Sequence, residues 1–275
     1  MSVGNLAVVA VRNADATAVE AALRDLSAIL LPRRVVRPTH ALVYGRFADD
    51  DSARHAVADL RTRGWSAAQR PADDSGWIVA WRNRTAPVDV DGGRLTVALP
   101  WSEHPRGDGS LVEIDPGAAF GAGGHPTTRL LLQALCDRIR GGDSVLDIGC
   151  GSGVLAISAA RLGADRAFGI DIDPAAVAAT DANAEWNGLA DRVTAARAPL
   201  AEVTGQFDVV VANIGRDTLI DMAADIDRLL APGGWLGLSG ISPAQISLVG
   251  AAFRFVRIVD APELDEWAAI IAHRA

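Results

Sequence analysis

The stretch Val145–Val154, read as VLDIGCGSGV, decides the fold of this 275-residue chain. Its opening apolar run predicts a short, buried parallel strand. Three glycines follow, and the helix-like pattern VLAISAARLGA begins directly after the last of them. A strand, a glycine turn and a helix form the first half of a βαβ unit. The glycines let the backbone bend tightly and approach a ligand where a Cβ would intrude.

The spacing of these glycines argues against two common phosphate-binding motifs. A dinucleotide fingerprint, G-x-G-x-x-G, begins at Gly149 but fails at Val154, where its third glycine belongs. A P-loop is excluded because the chain contains no lysine. The next predicted strand, AFGIDIDP, carries Asp171, where an acid can hydrogen-bond ribose hydroxyls. The pattern favours a nucleoside without a pyrophosphate, and the alternative is a glycine loop that merely turns the chain.

The motif D-x-G-x-G-x-G, followed by IDID, resembles the class I S-adenosylmethionine-dependent methyltransferases. This resemblance implies that S-adenosylmethionine is the cofactor. The motif residues then become candidate cofactor contacts: Asp147, Gly149, Gly151, Gly153 and Asp171.

Composition limits the classes of protein to which the chain can belong. Apolar residues make up 49% and charged residues 22%, which supplies ample material for a core, and the length suits two domains. There is no apolar run of membrane-spanning length and no signal-peptide pattern, so we expect a cytoplasmic protein without membrane contact. Two cysteines, Cys136 and Cys150, predict neither a disulfide framework nor a metal site.

A net charge of −8 argues against nucleic-acid binding and suits a basic protein substrate.

The N-terminal part predicts a small ferredoxin-like α+β domain over residues 1–70. We expect strands and helices alternating as β-α-β-(β)-α-β, with these bounds: Asn5–Val11, helix Asp15–Leu31 closed by Pro32, Arg34–Arg37, Thr39–Phe47, helix Asp49–Arg63 and Trp65–Arg70. Residues 71–109 form the predicted connector, in which GWIVAWRNR and RLTVALPW resemble strands. Its tryptophans are expected to pack the connector against its neighbours: Trp77, Trp81 and Trp101.

Residues 110–275 alternate strands and helices, which predicts a doubly wound parallel sheet with ligands at the carboxyl ends of its strands. Gly149, Asp171 and Asn213 all fall at such ends. A glycine-rich loop, IDPGAAFGAGGHPTT, precedes the first core strand by one helix. At the start of that helix, Thr127 and Thr128 either place backbone N–H groups against a ligand carboxylate or only cap the helix.

Several segments resemble the ribosomal protein L11 methyltransferase family: IDPGAAFGAGGHPTT, VLDIGCGSGVLAISAA, GIDIDPAAV, DVVVANI, LLAPGGWLGLSGI and EWAAIIAHR. The resemblance is dense from Ile114 onward, and it implies a mostly parallel, seven-stranded class I methyltransferase sheet. It also implies four cofactor contacts, at Thr128, Gly149, Asp171 and Asn213. The chain departs from the usual family pattern at Ala122 and Gly124, where two threonine hydroxyls are missing.

The resemblance implies a protein N-methyltransferase that modifies lysine or N-terminal amino groups of ribosomal protein L11. We expect a monomer whose first domain docks the substrate. Asn213 is the candidate catalytic residue, with carbonyl groups that accept N–H bonds from the amine; the alternative is that it contacts only the cofactor. His125 either lines the acceptor channel or bonds to backbone, and Cys150 is expected to be inert. Two other functions remain open: methylation of another protein or a small metabolite, and a non-catalytic cofactor-binding module.

Overall fold

The computed structural model describes residues 6–12, 14–37, 40–70, 87–100, 102, 110–115, 121 and 123–274. The chain forms two compact units, Met1–Ala86 with Pro100–Glu103 and Pro87–Leu99 with His104–Ala275. The predicted strand GWIVAWRNR and the three connector tryptophans lie outside the described residues. The predicted domain boundaries at residues 70 and 110 stay predictions.

The first unit contains a four-stranded antiparallel sheet and two helices. Its elements in chain order are β1 Leu6–Arg12, α1 Ala16–Asp25, β2 Ile29–Arg37, β3 His40–Arg46, α2 Asp50–Thr62 and β4 Ser66–Arg70. The strands lie in the order β2-β3-β1-β4, so the ferredoxin-like prediction is confirmed. Buried side chains from α1 and α2, among them Leu23 and Leu60, pack with those of the sheet in one core.

The predicted helix Asp15–Leu31 is wrong in its second half, and Pro32 does not close it. Helix α1 ends at Asp25, the chain turns through Ser27 with φ of 67°, and β2 begins at Ile29. Pro32 lies inside β2, where the register against β3 shifts between Leu31 and Arg34. Because β2 is an edge strand, a bulge there accommodates a residue without a backbone N–H. The apolar run that fits helical spacing therefore serves a strand.

The second unit begins with a small three-stranded sheet made of β5 Val88–Val90, β6 Leu95–Ala98 and β7 Ser110–Glu113. Strand β6 confirms the prediction made from RLTVALPW. The remaining helices are α3 Pro126–Arg138, α4 Val154–Leu162, α5 Pro174–Trp186, α6 Arg216–Asp221, α7 Ala223–Leu229 and α8 Ile246–Ala252. The remaining strands are β8 Ser144–Ile148, β9 Arg166–Asp171, β10 Val193–Arg197, β11 Phe207–Asn213, β12 Leu230–Ile241, β13 Val256–Asp260, β14 Glu263–Leu264 and β15 Trp267–Arg274.

The large sheet has the strand order β10-β9-β8-β11-β12-β15-β13, with the two-residue β14 pairing with β15. Strands β8 to β12 pair in parallel, whereas β15 is antiparallel to both of its neighbours. Only six residues separate β13 from β15, which is too few for the crossover that a parallel pair needs. The mostly parallel, seven-stranded prediction is confirmed, with β14 added at one edge.

Side chains along the strands alternate between two apolar layers. Val145, Val209 and Val211 face the layer that contains α3 and α4. Leu146 and Val210 face the layer that contains α7 and α8. All five residues of β8 are buried, as expected for a central strand covered by helices on both faces. No helix within the described residues is long and apolar enough to cross a membrane.

Candidate active site

The glycine turn, residues 149–153, connects β8 to α4 and approaches two neighbouring strands. The backbone N–H groups of Gly149 and Cys150 donate to the carbonyl of Ile170, at 2.8 and 3.0 Å, near the end of β9. On the other side, a Cβ at Gly149 would lie 2.7 Å from Cγ2 of Ile214, the residue after β11. With φ of 73° as well, Gly149 occupies a position where a side chain is excluded by both conformation and space. The turn therefore lies where the carboxyl ends of β8, β9 and β11 meet.

Asp171, the last residue of β9, points its carboxylate at this turn. Oδ2 accepts from the backbone N–H of Gly151 at 3.1 Å, and Oδ1 accepts from that of Asp173 at 3.0 Å. A carboxylate has about four lone-pair sites, so each oxygen keeps capacity for another donor. The structure brings Asp171 and the glycines together, as the sequence predicted.

Asp147 lies in β8 beneath the turn and is 1% exposed. Oδ2 accepts from the backbone N–H of Ala156 at 3.2 Å, whereas Oδ1 has no hydrogen-bond partner within the described residues. Burial, with a smaller contribution from the charge of Asp171, raises the pKa of Asp147 to about 7, against the lowering effect of the Ala156 N–H. A buried, charged oxygen without a partner costs free energy, and protonation of the carboxylate removes that charge, which agrees with the raised pKa.

The start of α3 lies beside the end of β11, and a side-chain hydrogen bond joins them. Nδ2 of Asn213 donates to Oγ1 of Thr128 at 3.1 Å. Thr128 is 1% exposed, so this bond is largely shielded from water. It fixes the orientation of the Asn213 amide and leaves Oδ1 as its acceptor atom. Two predicted site residues that are distant in sequence are thus direct partners.

His125, not a threonine, caps helix α3. Its Nδ1 accepts from the backbone N–H of Thr127 at 3.4 Å and lies 2.7 Å from Oγ1 of the same residue. The interpretation that the threonines only cap the helix is therefore wrong. The imidazole also packs edge-on against Trp267, with ring centroids 5.1 Å apart. Contact of His125 with an acceptor stays a prediction.

A hydrogen bond joins the described part of the glycine-rich loop to the glycine turn. Oγ of Ser152 donates to the backbone carbonyl of Gly121 at 2.5 Å. Gly123 follows with φ of 87°, and a Cβ there would overlap Val97 of β6. Of the two positions that depart from the family pattern, Gly124 is described and Ala122 lies outside the described residues.

The sequence analysis missed three polar residues on one side of α5, two within the helix and one at its C-cap. Thr180 and Asn183 are buried, and Asn187 is half-buried. Thr180 donates to the carbonyl of Gly151 at 3.1 Å, and Nδ2 of Asn183 donates to that of Ser152 at 2.9 Å. Their spacing of three and four residues places them on one side of a helix. This polar stripe is the sequence signal that could have identified the three residues, because the side of a helix that faces the sheet is ordinarily apolar.

Cys150 lies within the glycine turn and is buried. Burial, followed by the charge of Asp147, raises the pKa of Cys150 to about 12, so the prediction of an inert thiol is confirmed. In the part of the chain that the structure describes, no group of three or more His, Cys, Asp or Glu residues is arranged to hold a metal ion.

The strand order, the glycine turn after β8 and the carboxylate that ends β9 define a class I methyltransferase fold. A family model described as ribosomal protein L11 methyltransferase (PrmA) matches residues 33–275. The chain belongs to this family, so the resemblance inferred from the sequence is confirmed.

Individual relatives agree with this assignment. A ribosomal protein L11 methyltransferase from Geobacter sp. (strain M21) is 45% identical over 202 residues, covering 70% of this chain and 65% of the relative. The chain thus spans just under two thirds of that relative's length. The enzyme of the same name from Haemophilus ducreyi is 41% identical over 234 residues, covering 83% of this chain and 80% of the relative.

A solved structure supports the fold directly. The crystal structure of ribosomal protein L11 methylase from Lactobacillus delbrueckii subsp. bulgaricus matches with 31% identity and a TM-score of 0.62. The match covers 66% of this chain and 95% of that one.

Replacing Asp147 with Asn should change how stability depends on pH. Because the pKa of Asp147 is raised from 3.8 to about 7, its contribution to stability is complete below pH 4 and is lost as the pH rises through 7. Between pH 5 and 8 the wild type should therefore lose on the order of 2–4 kcal/mol relative to Asp147→Asn. Urea unfolding without cofactor at both pH values measures this difference.

Asp208→Asn is the matched control for that measurement. Two hydrogen bonds from Ser144 lower the pKa of Asp208, so its titration lies below this pH range. Between pH 5 and 8, the free energy of unfolding of Asp208→Asn should change by the same amount as that of the wild type. If that of Asp147→Asn also changes by this amount, the raised pKa of Asp147 is refuted.

Proposed function

We propose that this protein is an enzyme that transfers methyl groups from S-adenosylmethionine to amino groups of ribosomal protein L11. Membership of the L11 methyltransferase family supports the reaction and favours L11 over another protein or a small metabolite. The observation that carries the proposal is the oriented amide of Asn213, held by Thr128 beside the glycine turn. A non-catalytic cofactor-binding module would not need an acceptor group fixed at that position.

The residues around the turn fit the cofactor. Asp171 offers carboxylate lone pairs to ribose hydroxyls, and the glycine turn offers a backbone surface without side chains. Asp147 lies beneath that surface, with one buried oxygen that has no partner among the described residues, and its negative charge there suits a positively charged ligand. S-Adenosylmethionine, when bound, supplies a methyl group on a positively charged sulfur.

The chain's own task in catalysis is to hold a neutral amine in line with that methyl group. A lysine side chain has an ordinary pKa of about 10.4, so removing its proton at pH 7 costs about 4–5 kcal/mol. Desolvation in the site lowers this cost, because burial disfavours the ammonium form. Oδ1 and the backbone carbonyl of Asn213 accept N–H bonds from the amine and direct its lone pair. Thr128 holds the amide in place, so that little orientation is lost during the reaction.

We assign substrate docking to the first unit. Its sheet order provides a compact α+β scaffold, and the proposed cofactor contacts all lie in the second unit. The net charge of −8 belongs to the whole chain and suits long-range attraction of a basic protein substrate; residues 1–86 carry 12 Arg against 9 Asp and Glu, so this attraction does not come from the first unit. A monomeric, cytoplasmic enzyme that contacts neither nucleic acid nor membrane completes the proposal.

Asp171→Ala should weaken cofactor binding while leaving the fold intact. It removes an acceptor for ribose hydroxyls, and each charge-assisted bond contributes about 1.5–3 kcal/mol. Calorimetric titration with S-adenosylhomocysteine should show a loss of affinity of roughly tenfold or more. Asp173→Ala, which removes only the cap of α5, should bind normally. Unchanged affinity in Asp171→Ala would show that Asp171 does not bind the cofactor.

The purified protein should methylate L11, as detected by mass spectrometry.

Variants of Asn213 should show whether this residue acts in catalysis or in cofactor binding. Asn213→Ala should lower kcat about a hundredfold at saturating cofactor, with a much smaller change in cofactor affinity. Asn213→Asp should be slow near pH 7 and recover partly at higher pH, because its charge stabilises the ammonium form. Normal turnover by both variants would exclude Asn213 as the holder of the amine.

A chain that begins at Pro87 should separate docking from cofactor binding. It retains the proposed cofactor contacts and strands β5 to β7, so S-adenosylhomocysteine should bind with unchanged affinity. Methylation of L11 should be lost because the docking unit is absent. Wild-type rates on L11 from this shortened chain would disprove the docking role.

A further inference from the structure

Asn183 of helix α5 and Asn187, the C-cap residue of the same helix, bind the same stretch of backbone. Asn187 accepts from the N–H of Glu113 at 2.9 Å and donates to the carbonyl of that residue at 2.7 Å. Asn183 accepts from the N–H of Asp115 at 3.0 Å and donates to its carbonyl at 2.9 Å. In extended backbone, alternate residues present their polar groups on the same side. The two amides therefore bind β7 and its continuation much as a neighbouring strand would.

The two amides differ in their third hydrogen bond. The second N–H of Asn187 donates to the carbonyl of Asn183, within its own helix, at 2.8 Å. The second N–H of Asn183 donates to the carbonyl of Ser152, in the glycine turn, at 2.9 Å. Asn183 thus connects the turn to the segment that begins the glycine-rich loop, whereas Asn187 does not.

We propose that Asn183 is a positioning residue for the cofactor: its side-chain amide joins the glycine turn to the backbone of Asp115 and so fixes the shape of the turn. This inference rests on the proposed function, because it assumes that the turn binds S-adenosylmethionine. It adds a residue that touches neither cofactor nor substrate but acts through Ser152.

Burial explains why loss of this one bond disturbs the turn, although Asp171 and Thr180 also bind the turn at Gly151. Asn183 is 3% exposed and Ser152 is fully buried, so water cannot replace the lost donor. Ser152 also binds a second point of the glycine-rich loop, through the bond from its hydroxyl to the carbonyl of Gly121. Removing the amide therefore leaves an unpaired carbonyl in the segment that must present its backbone to the ligand. Such a carbonyl rotates toward another donor, and the turn changes shape with it.

Asn183→Ala and Asn187→Ala form a matched pair for the test. Each variant loses one accepted and two donated hydrogen bonds, and only the first loses the connection to the glycine turn. Both should lower the melting temperature. Asn183→Ala should weaken S-adenosylhomocysteine binding about tenfold or more in calorimetry, whereas Asn187→Ala should stay within about threefold of the wild type.

Asn183→Asp gives a readout that a purely structural role would not produce. The carboxylate retains the acceptor for Asp115 but places charge against two carbonyl oxygens. Protonation restores one donor, so affinity relative to the wild type should recover as the pH falls from 8 to 5. Asn183→Ala should show no such recovery, since it has nothing to protonate.

If the variants do not fold, a measurement on the wild-type protein tests the positioning role of Asn183. Adding S-adenosylhomocysteine should shift the side-chain amide resonances of Asn183 strongly in nuclear magnetic resonance spectra and those of Asn187 weakly. Equal affinity in both alanine variants, or equal shifts of the two amides, would overturn the positioning role. Wild-type protein that does not bind S-adenosylhomocysteine would instead overturn the proposed function, so the two failures are distinguishable.

Discussion

The second unit depends on one steric constraint, the close approach of the glycine turn to the ends of its neighbouring strands. The turn donates two backbone hydrogen bonds to Ile170 near the end of β9, and a Cβ at Gly149 would strike Ile214 beyond β11. Nothing larger than glycine fits at this point. Glycine therefore lets the turn pack at the carboxyl ends of the parallel strands, which is where ligands bind in sheets of this kind.

Polar groups buried around this turn serve different purposes. Asn183 uses both of its N–H groups and its carbonyl, which makes it a fully bonded connector. Asp147, in contrast, keeps one buried oxygen without a partner among the described residues, and its pKa is raised to about 7 by burial. A satisfied group stabilises the folded chain, whereas an unsatisfied one destabilises it until something binds. The contrast indicates different effects: Asn183 holds the turn, whereas ionisation of Asp147 destabilises the folded chain as the pH rises.

The acceptor side of the site is arranged by a contact between elements that are distant in sequence. Helix α3 brings Thr128 against Asn213, so the catalytic candidate is oriented by the segment that precedes the central strand. His125 caps the same helix and packs against Trp267 at the start of β15. The N-terminus of α3 therefore contacts both the end of β11 and the start of β15.

Local sequence determined most of the strands, the glycine turn and the candidate residues Asp147, Asp171 and Asn213. These signals are short-range: an apolar run, glycine spacing and an acid at a strand end each describe a few neighbouring residues. The chain direction of β15 followed only from the short connection after β13, and the end of α1 only from the pairing of β2 with β3. At α1 tertiary pairing outweighed the local pattern, whereas at β15 the length of the connection set the strand direction. The hydrogen-bond partners of Asn183 and Thr128 were likewise visible only in the tertiary structure, because they come from segments that are distant in sequence.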